Sequence, residues 1–234
     1  MDFIIRPLTP ADADAALALL ADGSAKGEVL YKPLKKDDFL ARFFGGNRWG
    51  FAAQAGGRLV GWAHAAAQTR FLPGETPENT PLYLTLLLVE EGFRHQGAGK
   101  ALLEAVRQAG RDAGKNRLMV SGNNPVHLTW LIPGAGGHDH NNAPGANEDP
   151  PGYGYLLSQG FEDVFHEISM YMPLRDYRWD PKLDAVMEKL TAEGIYVGRW
   201  QVGMGENYDG MCDRVGSEYW RNVLRQELLA LHTG

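Results

Sequence analysis

Up to about residue 175, apolar and polar positions alternate or cluster as short strands and amphipathic helices; beyond that the character of the chain changes. Residues 3–6 read as a strand. Thr9-Pro10-Ala11-Asp12 then marks a helix start, with a hydroxyl at the N-cap, proline at the first helical position and an acid completing a capping-box-like pattern. That helix runs through Leu17, Leu19 and Leu20 to a stop near Gly23, and a second covers residues 36–44 before Gly45-Gly46. Strand-like runs at 49–55 and 58–66 flank Gly56-Gly57, a good hairpin turn. Residues 82–89 are the most apolar stretch and read as a central strand covered on both faces, although a buried helix would fit the same pattern.

A helix over 99–113 follows, with Leu102, Val106 and Ala109 on one face, then a short buried strand at 118–120. Regular patterning disappears from 122 to 152. A helix at 153–159 ends at Gly160, and 165–172 reads as the last strand or strand pair. In the remainder, Leu183, Val186, Met187 and Leu190 mark an amphipathic helix, 195–202 is a strand candidate, and Ser217 caps a final helix through Leu231. The expected organisation is a domain at 1–175 and a helix-strand-helix extension at 176–234.

Composition narrows the partners. Hydrophobic residues make up 44% and charged residues 22% of 234 positions, enough to bury a core. The net charge of -6, with acids and bases mixed, argues against nucleic acid or an anionic membrane as main partner. The lone Cys212 cannot form an intrachain disulfide and has no nucleophile signature around it. With no signal-peptide pattern and no segment of membrane-spanning length, the expected location is cytoplasmic.

The candidate chemistry lies between the apolar strand and the 99–113 helix, at Arg94-His95-Gln96-Gly97-Ala98-Gly99-Lys100. A strand turning into a helix exposes consecutive backbone N–H groups, and the helix dipole adds positive potential there. Gly97 and Gly99 lack the Cβ atoms that would hold an anion away, and Arg94 could add a planar cationic donor. The geometry suits a phosphate or pyrophosphate. Two common phosphate loops fail: Ala101 follows Lys100 where a P-loop needs a hydroxyl, and Leu102 stands where a dinucleotide fingerprint needs its third glycine.

Arg-x-x-Gly-x-Gly between a buried strand and an amphipathic helix resembles the acyl-CoA motif of the GNAT superfamily. The resemblance extends over about residues 1–175: opening strand, Arg6, Thr-Pro-x-Asp helix start and hairpin before the motif, and helix, short strand, helix and Gly160-Phe161 after it. It implies an α+β GNAT fold, a mixed and mainly antiparallel sheet flanked by helices and splayed at the cofactor site, with a C-terminal appendage. It further implies that residues 94–100 bind the coenzyme pyrophosphate and that Leu88 and Val89 meet the pantetheine. The implied activity is that of an N-acyltransferase, moving acetyl or another short acyl group from acyl-CoA (acetyl-CoA as donor substrate) directly to a small primary amine. The sequence departs from the family at Glu91, where a proline is common, and at Leu156, where a tyrosine often precedes the glycine by four.

Direct acyl transfer needs an uncharged amine, a donor for the carbonyl oxygen and a proton for the leaving thiolate. Tyr155 and Tyr153, on the helix before Gly160, are the candidate acids. The long strand holds no carboxylate, so His64 is the candidate base, expected to share one strand face with Val60 and Trp62. The irregular 122–152 segment reads as an ordered flap bordering the acceptor pocket. Its His138 and His140 lack further ligands at metal spacing and read as a polar turn, so no metal is expected. Two readings stay open beside catalysis. One is a non-catalytic acyl-CoA-binding module, as in one half of a tandem-GNAT protein; the other is a homodimer formed through Tyr219, Trp220, Val223 and Leu224.

Overall fold

β2 (Arg48–Ala55) and β3 (Arg58–Ala67) form from the two apolar runs around Gly56-Gly57, whose φ values of 56° and 78° close the hairpin. The structure, a computed structural model, describes residues 3–69, 71, 74–122, 124–131, 139–140, 146, 148, 151–164, 166, 175–199, 208–216 and 220–221. With β1 (Ile4–Pro7), β4 (Leu82–Val89) and β5 (Leu118–Met119), the hairpin builds a five-stranded sheet in the order β1-β2-β3-β4-β5. All neighbours are antiparallel except β4 and β5. This is the mixed, mainly antiparallel sheet that the resemblance implied.

Helices cover both faces. α1 (Ala13–Ala25) and α2 (Lys36–Phe43) bury Ala16, Leu20, Phe39 and Phe43 against Trp62 and Leu86 on one face. α3 (Ala98–Asp112) buries Leu102, Leu103 and Val106 against Val60, Ala63 and Leu84 on the other. The helix start at Thr9 is as expected in kind: Asp12 accepts hydrogen bonds from the Thr9 N–H (2.8 Å) and from Arg6 (2.6 and 2.8 Å). α1 nevertheless runs past Gly23 to Ala25, because the missing side chain at Gly23 admits Val29 against the helix. α4 (Pro151–Ser158) carries Tyr155 and Leu156 onto the α3 side.

The segment read as irregular contains structure. β6 (Trp130–Leu131) and β7 (Asp139–His140) pair antiparallel, and residues 30–32 run alongside 129–131 through two backbone hydrogen bonds and a Tyr31–Trp130 bridge. The expected strand at 165–172 lies outside the described residues except His166, and so does His138. The chain forms two compact units, Met1–Ile168 and Ser169–Gly234. Within the second unit, α5 (Lys182–Ala192) matches the expected amphipathic helix. The described part of the 195–202 strand candidate, residues 195–199, is not a strand. An unexpected helix, α6 (Tyr208–Val215), buries the free Cys212. Of the expected final helix only residues 220–221 are described, and they are helical; three of the four proposed dimer residues lie outside the described residues, Trp220 being inside. Among the described residues no helix is long and apolar enough to cross a membrane.

Two irregularities in the ladder decide which side chains share a face. Between β2 and β3 the register moves from Ala53↔Gly61 to Gln54↔Leu59, leaving Val60 as an extra residue. Val60 therefore joins the α3-side core while Trp62 packs on the opposite side, so the expected Val60-Trp62-His64 stripe does not exist. Between β3 and β4 the register passes from Ala65↔Leu84 to His64↔Leu86, leaving Thr85 over.

His64 is fully buried beside this second bulge, its ring against Phe43 at 4.7 Å between centroids. Its Nε2 faces the Phe43 carbonyl at 3.1 Å and must carry the proton, which leaves Nδ1 to accept from the Thr85 hydroxyl at 2.6 Å. Burial, and secondarily Arg48, push the imidazole down to about 3.

Two outcomes follow for stability. Gly61 has no room for a side chain, since a Cβ there would stand 2.8 Å from the Leu88 carbonyl oxygen. Gly61→Ala should cost about 1–3 kcal/mol in urea unfolding, as overpacking does. For His64, the unfolded chain takes up a proton near 6.5 but the folded one only near 3, so stability falls as pH drops through that window. Wild type should lose stability more steeply over this range than His64→Gln. Parallel slopes would mean that the imidazole is already charged in the fold.

Candidate functional site

β4 is paired on both edges only at its start. β5 meets it at Leu82 and Tyr83, and among the described residues no strand covers the same edge from Leu84 to Val89. The direction of the free backbone groups follows from two hydrogen bonds. Leu82 N–H points away from β3 to the Arg117 carbonyl, whereas Glu90 N–H points toward β3 to the Val60 carbonyl. In a regular strand residues eight apart face the same edge. The Thr85 bulge reverses the parity, so Leu87 and Val89 direct their N–H and C=O groups outward, while Leu88 pairs with Trp62 and packs on the α1 side.

Beyond β4 the chain makes a 3-10 turn, Glu91–Phe93, and enters α3 at Ala98. His95 (φ 58°) and Gly97 (φ 96°) both lie in the left-handed region, on either side of Gln96. Such alternation turns successive N–H groups into one concavity, and α3 begins directly behind it with no side chain capping its first turn. The donors of Ala98, Gly99 and Lys100 thus head a 15-residue helix whose dipole points its positive end into the turn. Gln96 spends its side-chain amide on the Gly92 carbonyl at 2.8 Å, fixing the loop rather than reaching outward.

Arg94 does the same more strongly. Its guanidinium forms a bidentate pair with Glu28 (2.6 and 2.7 Å), and its Nε donates to the Val89 carbonyl at 2.9 Å. The arginine expected as an anion donor is a brace between the turn, the end of β4 and the loop after α1. The Arg94 hydrogen bond in turn holds the Glu28 carboxyl below its usual range. Lys26 adds a contact to Glu91 at 3.1 Å.

The candidate acids and base separate clearly. The Tyr155 hydroxyl lies 3.4 Å from where a Gly99 Cβ would be, with Val89 Cγ2 3.7 Å from the same point. It is buried and, among the described residues, without a hydrogen-bond partner, and burial raises it above its ordinary value. The one-residue offset from the family position therefore still delivers a hydroxyl to the junction of β4 and α3. Tyr153 instead donates to Asp163 at 2.7 Å on an exposed surface. His64 is sealed in the core with both ring nitrogens engaged, so it cannot take a proton from an acceptor. Leu87 and Glu28 were missed: no pattern of apolar residues reveals a bulge, and no local spacing links Glu28 to Arg94.

Residues 20–128 match the sequence model of the acetyltransferase (GNAT) family. No curated protein matches the chain. Similar solved structures include the aminoglycoside acetyltransferase HMB0005 from an uncultured soil metagenomic sample, at 18% identity and TM-score 0.50, over 74% of this chain and 100% of that one. Another is the aminoglycoside acetyltransferase meta-AAC0020, also from an uncultured soil metagenomic sample, in complex with sisomicin (15% identity, TM-score 0.50, 74% and 97% covered). A third is AAC(6')-Iy in complex with the bisubstrate analogue CoA-S-monomethyl-acetylneamine (18% identity, TM-score 0.50, 74% and 99% covered). At these identities the likeness is one of fold. Strand, turn and helix mouth all lie within residues 20–128, the segment that matches the acetyltransferase (GNAT) family.

Proposed function

We propose that the first unit transfers an acetyl group from acetyl-CoA directly to a primary amine. The observation that carries this reading is the unpartnered Tyr155 hydroxyl beside Val89 and Gly99, where an open strand edge meets an uncapped helix. The turn from His95 to Lys100 holds the pyrophosphate through backbone N–H groups, and the Leu87 carbonyl and Val89 N–H pair with the pantetheine amides, leaving the Leu87 N–H for the acyl group. That arrangement brings the thioester to the middle of β4, within reach of Tyr155.

The amine nitrogen attacks the thioester carbonyl carbon, the C–N bond forms and the C–S bond breaks. An outward N–H of β4 stabilises charge on the carbonyl oxygen, and Leu87 is placed for it. The leaving thiolate takes the Tyr155 proton; the amine's surplus proton passes to water and restores the tyrosine. Burial keeps Tyr155 protonated through the neutral range, as an acid requires. The acceptors named for the similar structures make aminoglycosides the first amines to try, with amino acids and peptide N-termini beside them.

Calorimetry with CoA and acetyl-CoA, followed by free-thiol release over that amine panel, tests the proposal. Binding without turnover would support the rival reading of a coenzyme-binding module, which the sealing of His64 favours; no binding would end both. Gly97→Glu should abolish CoA binding. Because any side chain at Gly97 is strained by about 1–2 kcal/mol in the left-handed region, Gly97→Ala serves as the uncharged control and should bind measurably. Tyr155→Phe should lower kcat by about a hundred-fold while leaving the Kd for CoA unchanged.

A further inference from the structure

The bulge in β4 is held from three sides by buried polar groups. Thr85 Oγ1 lies 2.6 Å from His64 Nδ1 and 3.1 Å from the His64 carbonyl. The His64 Nε2–H continues to the Phe43 carbonyl at the end of α2. The Tyr31 hydroxyl, from the loop between α1 and α2, donates to the Thr85 carbonyl at 3.2 Å. A bulged residue stands outside the regular ladder, and its carbonyl needs such a partner when buried. The same loop is tied to the coenzyme turn by Glu28 and to residues 129–131 by backbone pairing.

We infer that Tyr31, Thr85 and His64 are positioning residues for acyl transfer, locking the bulge so that Leu87 rather than Leu86 or Leu88 turns its N–H to the open edge. A slip of one residue would carry Leu86 and Leu88 outward and turn Leu87 to β3. The leucine side chains tolerate such a slip, since every position from Leu86 to Leu88 is leucine. Apolar patterning therefore specifies the register weakly here, and the polar network supplies the missing constraint. In these terms the buried His64 serves the reaction through Thr85, without touching a substrate. The catalytic part of the inference rests on the acetyl-transfer reading above; the register part does not.

Tyr31→Phe and Thr85→Val each remove one hydroxyl at nearly constant volume. Each should lower kcat by about ten- to a hundred-fold with the Kd for CoA, which has no acyl carbonyl, within about two-fold of wild type. Thr85→Ser, which restores the hydroxyl, should recover most of kcat. A merely structural role would lower Tm and leave kcat intact at temperatures where the variants are folded. Amide hydrogen exchange reads the register without any substrate. In wild type Leu87 N–H should exchange faster than Leu86 and Leu88, and in Thr85→Val this contrast should shrink or reverse. Folded variants with wild-type kcat and an unchanged exchange pattern would overturn the inference. If wild type binds no CoA, only the acetyl-transfer reading fails, and the exchange pattern still decides the register.

Discussion

One extra residue in β4 governs how the two halves of the sheet relate. A β-strand assigns every backbone group to one of two edges and every side chain to one of two faces, both with a period of two. The Thr85 bulge breaks that period once. Leu82 and Leu84 face the α3-side core before it, and Leu86 and Leu88 face the α1 side after it. The edge covered by β5 at the start of β4 carries different residues from the edge left open at its end. A site that depends on strand backbone is therefore displaced by one residue from where simple alternation puts it.

The bulge is tolerated because its polar groups are satisfied. Burying an unpaired carbonyl, hydroxyl or imidazole would cost on the order of 1–3 kcal/mol each, and here Thr85, His64, Phe43 and Tyr31 answer one another. The low dielectric that makes such a network costly when incomplete makes it rigid when complete. It also explains why the imidazole stays neutral, since the Phe43 carbonyl contact does not offset desolvation. The charged counterpart is the Arg94–Glu28 pair, which holds the turn before α3 against the loop after α1 and satisfies the Val89 carbonyl. Positive potential at this turn is then left to backbone donors and the α3 dipole, whatever the overall acidity of the chain.

Much of this was legible in the sequence because it is local. The glycines at 56 and 57 can hardly do other than turn, Thr9 and Asp12 close on each other across one helical turn, and Gly97 and Gly99 open a helix mouth wherever the rest of the chain goes. Residues 82–89 are apolar enough to pack against helices on both faces. From those elements, and the resemblance they carry, the GNAT fold could be stated without coordinates.

The fold alone decided matters that depend on registry and distance through space. Whether His64 points to an acceptor or into the core turns on packing by α2, whose Phe43 lies 21 residues earlier in sequence and touches it. Tyr155 reaches Gly99 despite its offset because α4 is laid against α3, and no spacing within α4 encodes that placement. Arg94 is committed to Glu28, 66 positions earlier, and so becomes a brace. Leucine at each of positions 86, 87 and 88 looks the same to a hydrophobic pattern, but only Leu87 turns its backbone outward. Local sequence determined which groups were available for chemistry; hydrogen bonds between distant segments determined which of them face the site.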